Sequence, residues 1–168
     1  MLKKCISNVN NYFVVRMFRN LLFCVFFILS PIGLASAKET PEAFFQQLVK
    51  LSNRFDPALL DMYEDKAMIM SYRRYPHGLV RSTKLSGQKW KKRMHKLLPL
   101  KKKHKDTFTY TEVKVQPQGK KYKIKAKRYS ESKCYWDNGY FLVVEPNAQG
   151  RLKIVEQYSE AQPQSNCL

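Results

Sequence analysis

Acidic residues are scarce in this chain of 168 residues. Thirteen Asp and Glu stand against 31 Lys and Arg, a formal net charge of +18. Between Lys66 and Lys105 there is no acid at all. A field of that sign attracts anions and repels cations, so the partner classes it admits are nucleic acid, anionic lipid and surface polyanions, unless it serves only solubility. The three histidines, His77, His95 and His104, are scattered among turns and lysines without the spacing of metal ligands. No CxxC, Gly-rich phosphate loop or Ser/His/Asp ordering occurs, which argues against redox, nucleotide and triad chemistry. Neither a metal nor a cofactor is expected. The apolar run Leu21–Leu29 falls short of the ~20 residues that a membrane span needs.

That run sits in a segment with its own logic. Residues 1–37 hold Lys3, Lys4, Arg16 and Arg19 and no acid, and they close with Ala35-Ser36-Ala37. A positive start, a short apolar middle and an A-x-A ending predict a secretory signal peptide cleaved after Ala37. The long, partly apolar start, with Tyr12, Phe13, Val14 and Val15, leaves an uncleaved anchor as the alternative. Cleavage removes four bases and no acid, so the mature chain keeps a net charge of +14. The expected organisation is a signal peptide over 1–37, one domain over 38–160 and a tail over 161–168. The expected location is periplasmic or secreted. Cys5 and Cys24 leave with the signal peptide, and Cys134 and Cys167 remain. An oxidising compartment makes a disulfide their default; the alternative is a packed Cys134 and a free Cys167.

The mature part divides into a helical half and a stranded half. Thr40-Pro41-Glu42 supplies a hydroxyl N-cap, a first-turn Pro and an acid near the positive helix end. Phe44, Phe45, Leu48, Val49, Leu51 and Phe55 then give one apolar face. Asp56-Pro57 ends this helix and caps another, with Leu59, Leu60 and Tyr63 as its buried side. Lys66–Tyr75 predicts a strand turned by Pro76-His77-Gly78. After a loop, Ser86-Gly87 opens a third helix with Trp90, Met94, Leu97 and Leu98 on one side, ended by Pro99. Four strands follow, over 107–115, 121–129, 140–145 and 152–158, separated by turn-forming stretches.

Two basic arrays stand out. Lys89, Lys92, Arg93 and Lys96 crowd the outer face of the third helix. Lys121, Lys123, Lys125 and Lys127 alternate with Tyr122, Ile124, Ala126 and Arg128, so a period of 2 puts the lysines in one row facing solvent. Both arrays are candidate anion-binding surfaces, against the alternative of solvated faces. Arg128 falls on the inner side, where a charge needs a partner, and Glu156 or Asp137 is the expected one. The 10 Tyr, 10 Phe and two Trp could offer a stacking surface for nucleic acid, but strand and helix spacing favours core. Export also argues against nucleic acid.

Two helices, a strand, a helix and four antiparallel strands form the order of the nuclear-transport-factor-2-like superfamily. The chain resembles exported bacterial members of it over about residues 40–160, on Phe44–Phe45, Asp56-Pro57-Ala58-Leu59-Leu60, Asp65-Lys66-Ala67-Met68-Ile69 and Tyr158. The resemblance implies an α+β fold, a curved antiparallel sheet wrapped around N-terminal helices as a cone. It also implies a pocket, which we expect Tyr63, Met70, Tyr72, Trp90, Met94, Arg128, Tyr140 and Tyr158 to line. Enzymes of the superfamily place an Asp inside the cone to move a proton. Asp137 and Glu156 are the candidates here, although Trp136-Asp137-Asn138-Gly139 favours a turn role for Asp137, and Glu156 could pair with Arg128 or Arg73. The expected function is a non-enzymatic ligand-binding or accessory module holding a small apolar or amphipathic molecule. The alternatives are a cofactor-free isomerase, cyclase or dehydratase using a pocket acid, and attachment to anionic lipid or polysaccharide through the lysines. Monomer and dimer both stay open.

Overall fold

A computed structural model describes residues 39–167. The expected signal peptide lies outside them. Helix α1 covers Pro41–Arg54. Thr40 Oγ1 accepts from the Ala43 amide at 3.1 Å, and Phe44, Phe45, Leu48 and Leu51 form the buried face. Phe55 stops the helix in the left-handed region, at φ 57°, rather than extending its apolar stripe. Asp56 then caps a short 3-10 helix, Pro57–Met62, accepting from the Ala58 amide at 2.9 Å. Tyr63 is not part of that turn; it opens strand β1, Tyr63–Arg74.

Strand β2, Val80–Ser86, pairs antiparallel with β1 where the sequence suggested a loop. Its residues are exposed apart from the half-buried Leu85, so it carries no apolar alternation. Edge pairing with β1 supplies the order that its composition does not. Helix α2 spans Gly87–Lys103, with the Ser86 hydroxyl as its cap. It runs through Pro99 instead of ending there. Proline forgoes one helical hydrogen bond, but Leu98 beside it is buried and Lys101 pairs with Asp106 just beyond, so the last turn is held by tertiary contacts. Gly87 is required by space: a Cβ there would lie 1.9 Å from the carbonyl oxygen of Glu64.

The remaining strands are β3 (Phe108–Gln118), β4 (Lys121–Ser130), β5 (Tyr135–Asp137), β6 (Phe141–Pro146) and β7 (Leu152–Ala161). The sheet order is β2-β1-β7-β6-β4-β3, with β5 added beside β4. Pairing is antiparallel except between β1 and β7. Register shifts interrupt β1 against β7, β3 against β4 and β6 against β7. Such bulges bend strands and increase twist, which suits a sheet curved about helices. The core lies between the helices and the inner face, around Phe44, Leu59, Ile124, Leu142, Val144 and Ile154.

The alternation on β4 runs as its sequence predicts. Ile124 is fully buried and Ala126 buried, while Lys121, Lys125 and Lys127 are exposed. Cys134 and Cys167 are disulfide-bonded, and the Asn166 amide bonds the Lys133 carbonyl at 2.8 Å. The tail is thereby laid against the link that precedes β5.

Candidate functional site

A cavity of about 160 Å³ lies between the helices and the inner face of the sheet. Helix α1 contributes Leu48 and Ser52, and α2 contributes Trp90, Met94 and Leu98. The sheet contributes Tyr63, Phe108, Tyr110, Arg128 and Gln157, the link before β6 contributes Tyr140, and Phe55, Leu59, Lys101 and Asp106 complete the wall. The Trp90 ring packs on Tyr63 at 4.0 Å between centroids, and Tyr63 Oη donates to Gln157 Oε1 at 2.5 Å. Burial raises the phenols of Tyr63, Tyr110 and Tyr140 above their usual range. They are therefore neutral hydroxyls, on a wall that also carries Arg128, Lys101, Asp106 and Gln157 beside its apolar side chains.

Arg128 reaches the cavity from β4. Its guanidinium lies 4.6 Å from the Phe108 ring centre and 4.8 Å from that of Tyr140. Nη2 donates to Asp137 Oδ2 at 2.7 Å. Cross-strand register dictates the partner, since Arg128 and Asp137 are paired residues of β4 and β5. Asp137 is 1% exposed and its oxygens are engaged: Oδ2 also accepts from the Glu160 amide at 3.0 Å, and Oδ1 from the Gly139 amide at 3.1 Å. Burial pushes this carboxyl upward against the pull of Arg128 and the two amides. The turn role read from Trp136-Asp137-Asn138-Gly139 is thus present together with the ion pair, and Arg128, not Asp137, lines the cavity.

Glu156, the other candidate acid, lies on the opposite face of the sheet. It pairs in register with Val143 and Met68, so it meets neither Arg128 nor Arg73. The cause is a bulge. Leu152 and Ile154 point inward, and strict alternation would send 156 and 158 after them. The register shift opposite Val143/Val144 inserts one residue in β7, and the inward positions become Gln157 and Ser159, both buried. Tyr158 accordingly lies outside the pocket, stacked on Phe141 at 5.4 Å. Met70 and Tyr72 share that outer face, because Ile69 and Ser71 take the inward positions of β1 and pair with Gln157 and Ser159. The expected lining residues divide into Tyr63, Trp90, Met94, Arg128 and Tyr140, which meet at the cavity, and Met70, Tyr72 and Tyr158, which do not. Gln157, Tyr110 and Phe108 were not singled out from the sequence. The alternation in β3 could have pointed to Phe108 and Tyr110, whereas Gln157 depends on the bulge.

Asp106 is the acid that does line the cavity. Burial alone would raise its carboxyl, but hydrogen bonds from Lys101 and Ser132 hold it below the usual range; the Ser132 hydroxyl donates at 2.6 Å. Neither basic array contributes a residue to this cavity. Lys89, Lys92, Arg93 and Lys96 are exposed on α2. In the β4 row, Lys121 pairs with Glu145 at 3.1 Å and Lys127 with Glu112 at 2.5 Å, and Lys123 sits 3.7 Å over the Phe141 ring.

No protein-family model matches the chain, and no curated protein matches it. Solved structures do. One is a nuclear-transport-factor-2-like protein of unknown function from Shewanella oneidensis, 17% identical, with a TM-score of 0.53, covering 73% of this chain and 100% of that one. Another such protein, from Pseudomonas putida, is 8% identical with a TM-score of 0.54, covering 71% of this chain and 82% of its own. A third, a candidate ketosteroid isomerase from Shewanella frigidimarina, is 17% identical with a TM-score of 0.52, covering 73% and 97%. Identities this low speak to architecture and leave chemistry to the site itself. Residues 39–167 have the nuclear-transport-factor-2-like fold, a curved, unclosed sheet closed over by helices.

Proposed function

We propose that the protein is a ligand-binding module that holds a small apolar or amphipathic molecule between α2 and the inner face of the sheet. The supporting observation is the character of the wall. Trp90, Met94, Leu48, Leu59 and Phe108 supply apolar surface, neutral tyrosine hydroxyls with Gln157 supply fixed polar groups, and the charged members Arg128, Lys101 and Asp106 each have a partner. Small-molecule sites combine these two kinds of surface; the cavity of about 160 Å³ admits a body of about one ring, and an open groove beside it gives a larger molecule room. A proton-abstracting enzyme has less support. Asp137 is engaged by three donors, Glu156 faces the other side, and Asp106 is held by Lys101 and Ser132. Attachment to anionic surfaces through the β4 row also has less support, since Lys121 and Lys127 already have acidic partners.

Fluorescence titration with the neutral dye phenylnaphthylamine tests the reading. The wild type should enhance dye emission in a saturable way, and Met94→Trp, which fills the cavity from a half-buried helix position, should abolish it while the fold persists by circular dichroism. Equal binding by a folded Met94→Trp variant would overturn the proposal.

We also propose export with cleavage after Ala37, supported by Ala35-Ser36-Ala37 and by a disulfide of the kind that persists in oxidising compartments. Intact-mass measurement of extracytoplasmic material should give a chain beginning at Lys38. Retention of Met1 would make the segment an anchor.

A further inference from the structure

Beside the cavity, and sharing Trp90, Met94, Lys101 and Gln157 with it, lies an open groove of about 490 Å³ between α2 and the β1–β2–β7 part of the inner face. Its lining differs in kind from that of the cavity: Arg73, Arg81, Arg93 and Lys101 all reach it, and no Asp or Glu does. Arg73 and Arg81 are direct cross-strand partners on β1 and β2, and α2 brings Arg93 to the same groove. Like charges placed directly opposite one another on adjacent strands oppose folding. Among the described residues, Lys101 has Asp106, but no carboxylate lies within 4.0 Å of Arg73, Arg81 or Arg93. Glu160, on the adjacent strand, is in register with Tyr72 and therefore faces the other way. Ser71, Thr83 and Ser159 add hydroxyls along the same floor.

We propose that this groove is the anion-recognition half of the ligand site, and that the ligand is an amphipathic oxyanion. Its carboxylate, sulfate or phosphate group sits against Arg73, Arg81 and Arg93, and its apolar body passes Trp90 and Met94 into the cavity. This rests on the proposed ligand-binding role and adds the ligand's charge. An oxyanion there accepts charge-assisted, bidentate hydrogen bonds from guanidinium forks and relieves the repulsion between the two facing arginines. The surface lysines supply long-range attraction, while the groove supplies the geometry.

Two dyes with nearly the same body separate the terms: anilinonaphthalene sulfonate carries a sulfonate, and phenylnaphthylamine does not. The wild type should bind the sulfonate at least about tenfold more tightly, the scale of one or two charge-assisted contacts. Arg73→Gln/Arg81→Gln should remove that preference and leave phenylnaphthylamine binding unchanged. Lys125→Gln/Lys127→Gln, on the outer face, should keep it, which distinguishes the groove from the general positive field. Equal affinity for the two dyes in the wild type, or an equal loss in both double variants, would overturn the inference and leave the ligand-binding role standing. Failure of both dyes to bind would overturn both. Inorganic sulfate should displace the sulfonate dye only at concentrations at least about a hundredfold higher, because it lacks the apolar body. Displacement at equal concentration would mean a site for free anions and contradict the amphipathic assignment.

Discussion

Arg128 and Asp137 carry opposite charges where water has little access to screen them. A buried pair of this kind adds little over a hydrophobic replacement, yet removing one member strands the other, at about 3–5 kcal/mol. Asp137→Ala strands more than Arg128, because the amides of Gly139 and Glu160 also lose their acceptor. We expect Asp137→Ala to lower urea-unfolding stability by about 3–5 kcal/mol, and Arg128→Met to be costly as well. A loss below about 1 kcal/mol for Asp137→Ala would mean that the pair is not the organising contact of this corner. Gly87 makes a simpler case. Its missing Cβ is the space into which the Glu64 carbonyl fits, so Gly87→Ala should cost about 1–3 kcal/mol or more by overpacking, read from the same unfolding curves. Side-chain direction is legible in the sequence where alternation is unbroken: the run from Lys121 to Arg128 sends Arg128 inward, where its partner comes from the neighbouring strand β5. It is not legible on β7, where one inserted residue exchanges Glu156 and Tyr158 for Gln157 and Ser159. A bulge is a property of two paired strands, and the sequence of one of them does not announce it.

At the scale of elements, capping chemistry was the most legible. Thr40-Pro41, Asp56-Pro57 and Ser86-Gly87 each mark a start that the structure has. Strand β2 was not legible, because an exposed edge strand shows no apolar period. Strand β5 is three residues long, too short to show a period, and it meets β4 through Arg128 with Asp137, Tyr129 with Trp136 and Ser130 with Tyr135. The extension of α2 past Pro99 depends on the Lys101–Asp106–Ser132 contacts, which tie the helix end to the link before β5. Those contacts give a pH dependence of definite sign. The Asp106 carboxyl is held below its usual range in the folded chain, so its contribution is fully present above the unfolded value of about 3.9. That contribution is lost as pH falls through the lower folded value. Wild-type stability should drop below about pH 4 more steeply than that of Asp106→Asn. Parallel acid limbs for the two proteins would remove Asp106 from the account.

For the molecule as a whole, the disulfide and the inner face decide most. Cys134–Cys167 closes a separation of 33 residues, for which chain entropy gives about 3–4 kcal/mol. Cys134→Ser/Cys167→Ser should lose about that much stability and expose the tail beyond Ala161 to protease; an unchanged unfolding midpoint would deny the bond its role. The overall architecture was readable from element order, because helices followed by strands with turn residues between them leave few ways to bury both apolar faces. The cavity was readable in part. Trp90 and Met94 follow from helical spacing, whereas the groove of Arg73, Arg81 and Arg93 joins residues whose meeting depends on β2 being a strand. The proposed ligand occupies the inner side of the sheet, and the chain carries its own probes for it. There are two tryptophans: Trp90 lines the cavity, and Trp136, 46% exposed, packs on Tyr129, away from it. Two indole N–H signals can therefore be followed by NMR while phenylnaphthylamine is added to the mature chain. With a ligand on the inner face, the Trp90 signal shifts and saturates while the Trp136 signal stays in place; a shift at Trp136 alone, or at neither, would contradict binding there.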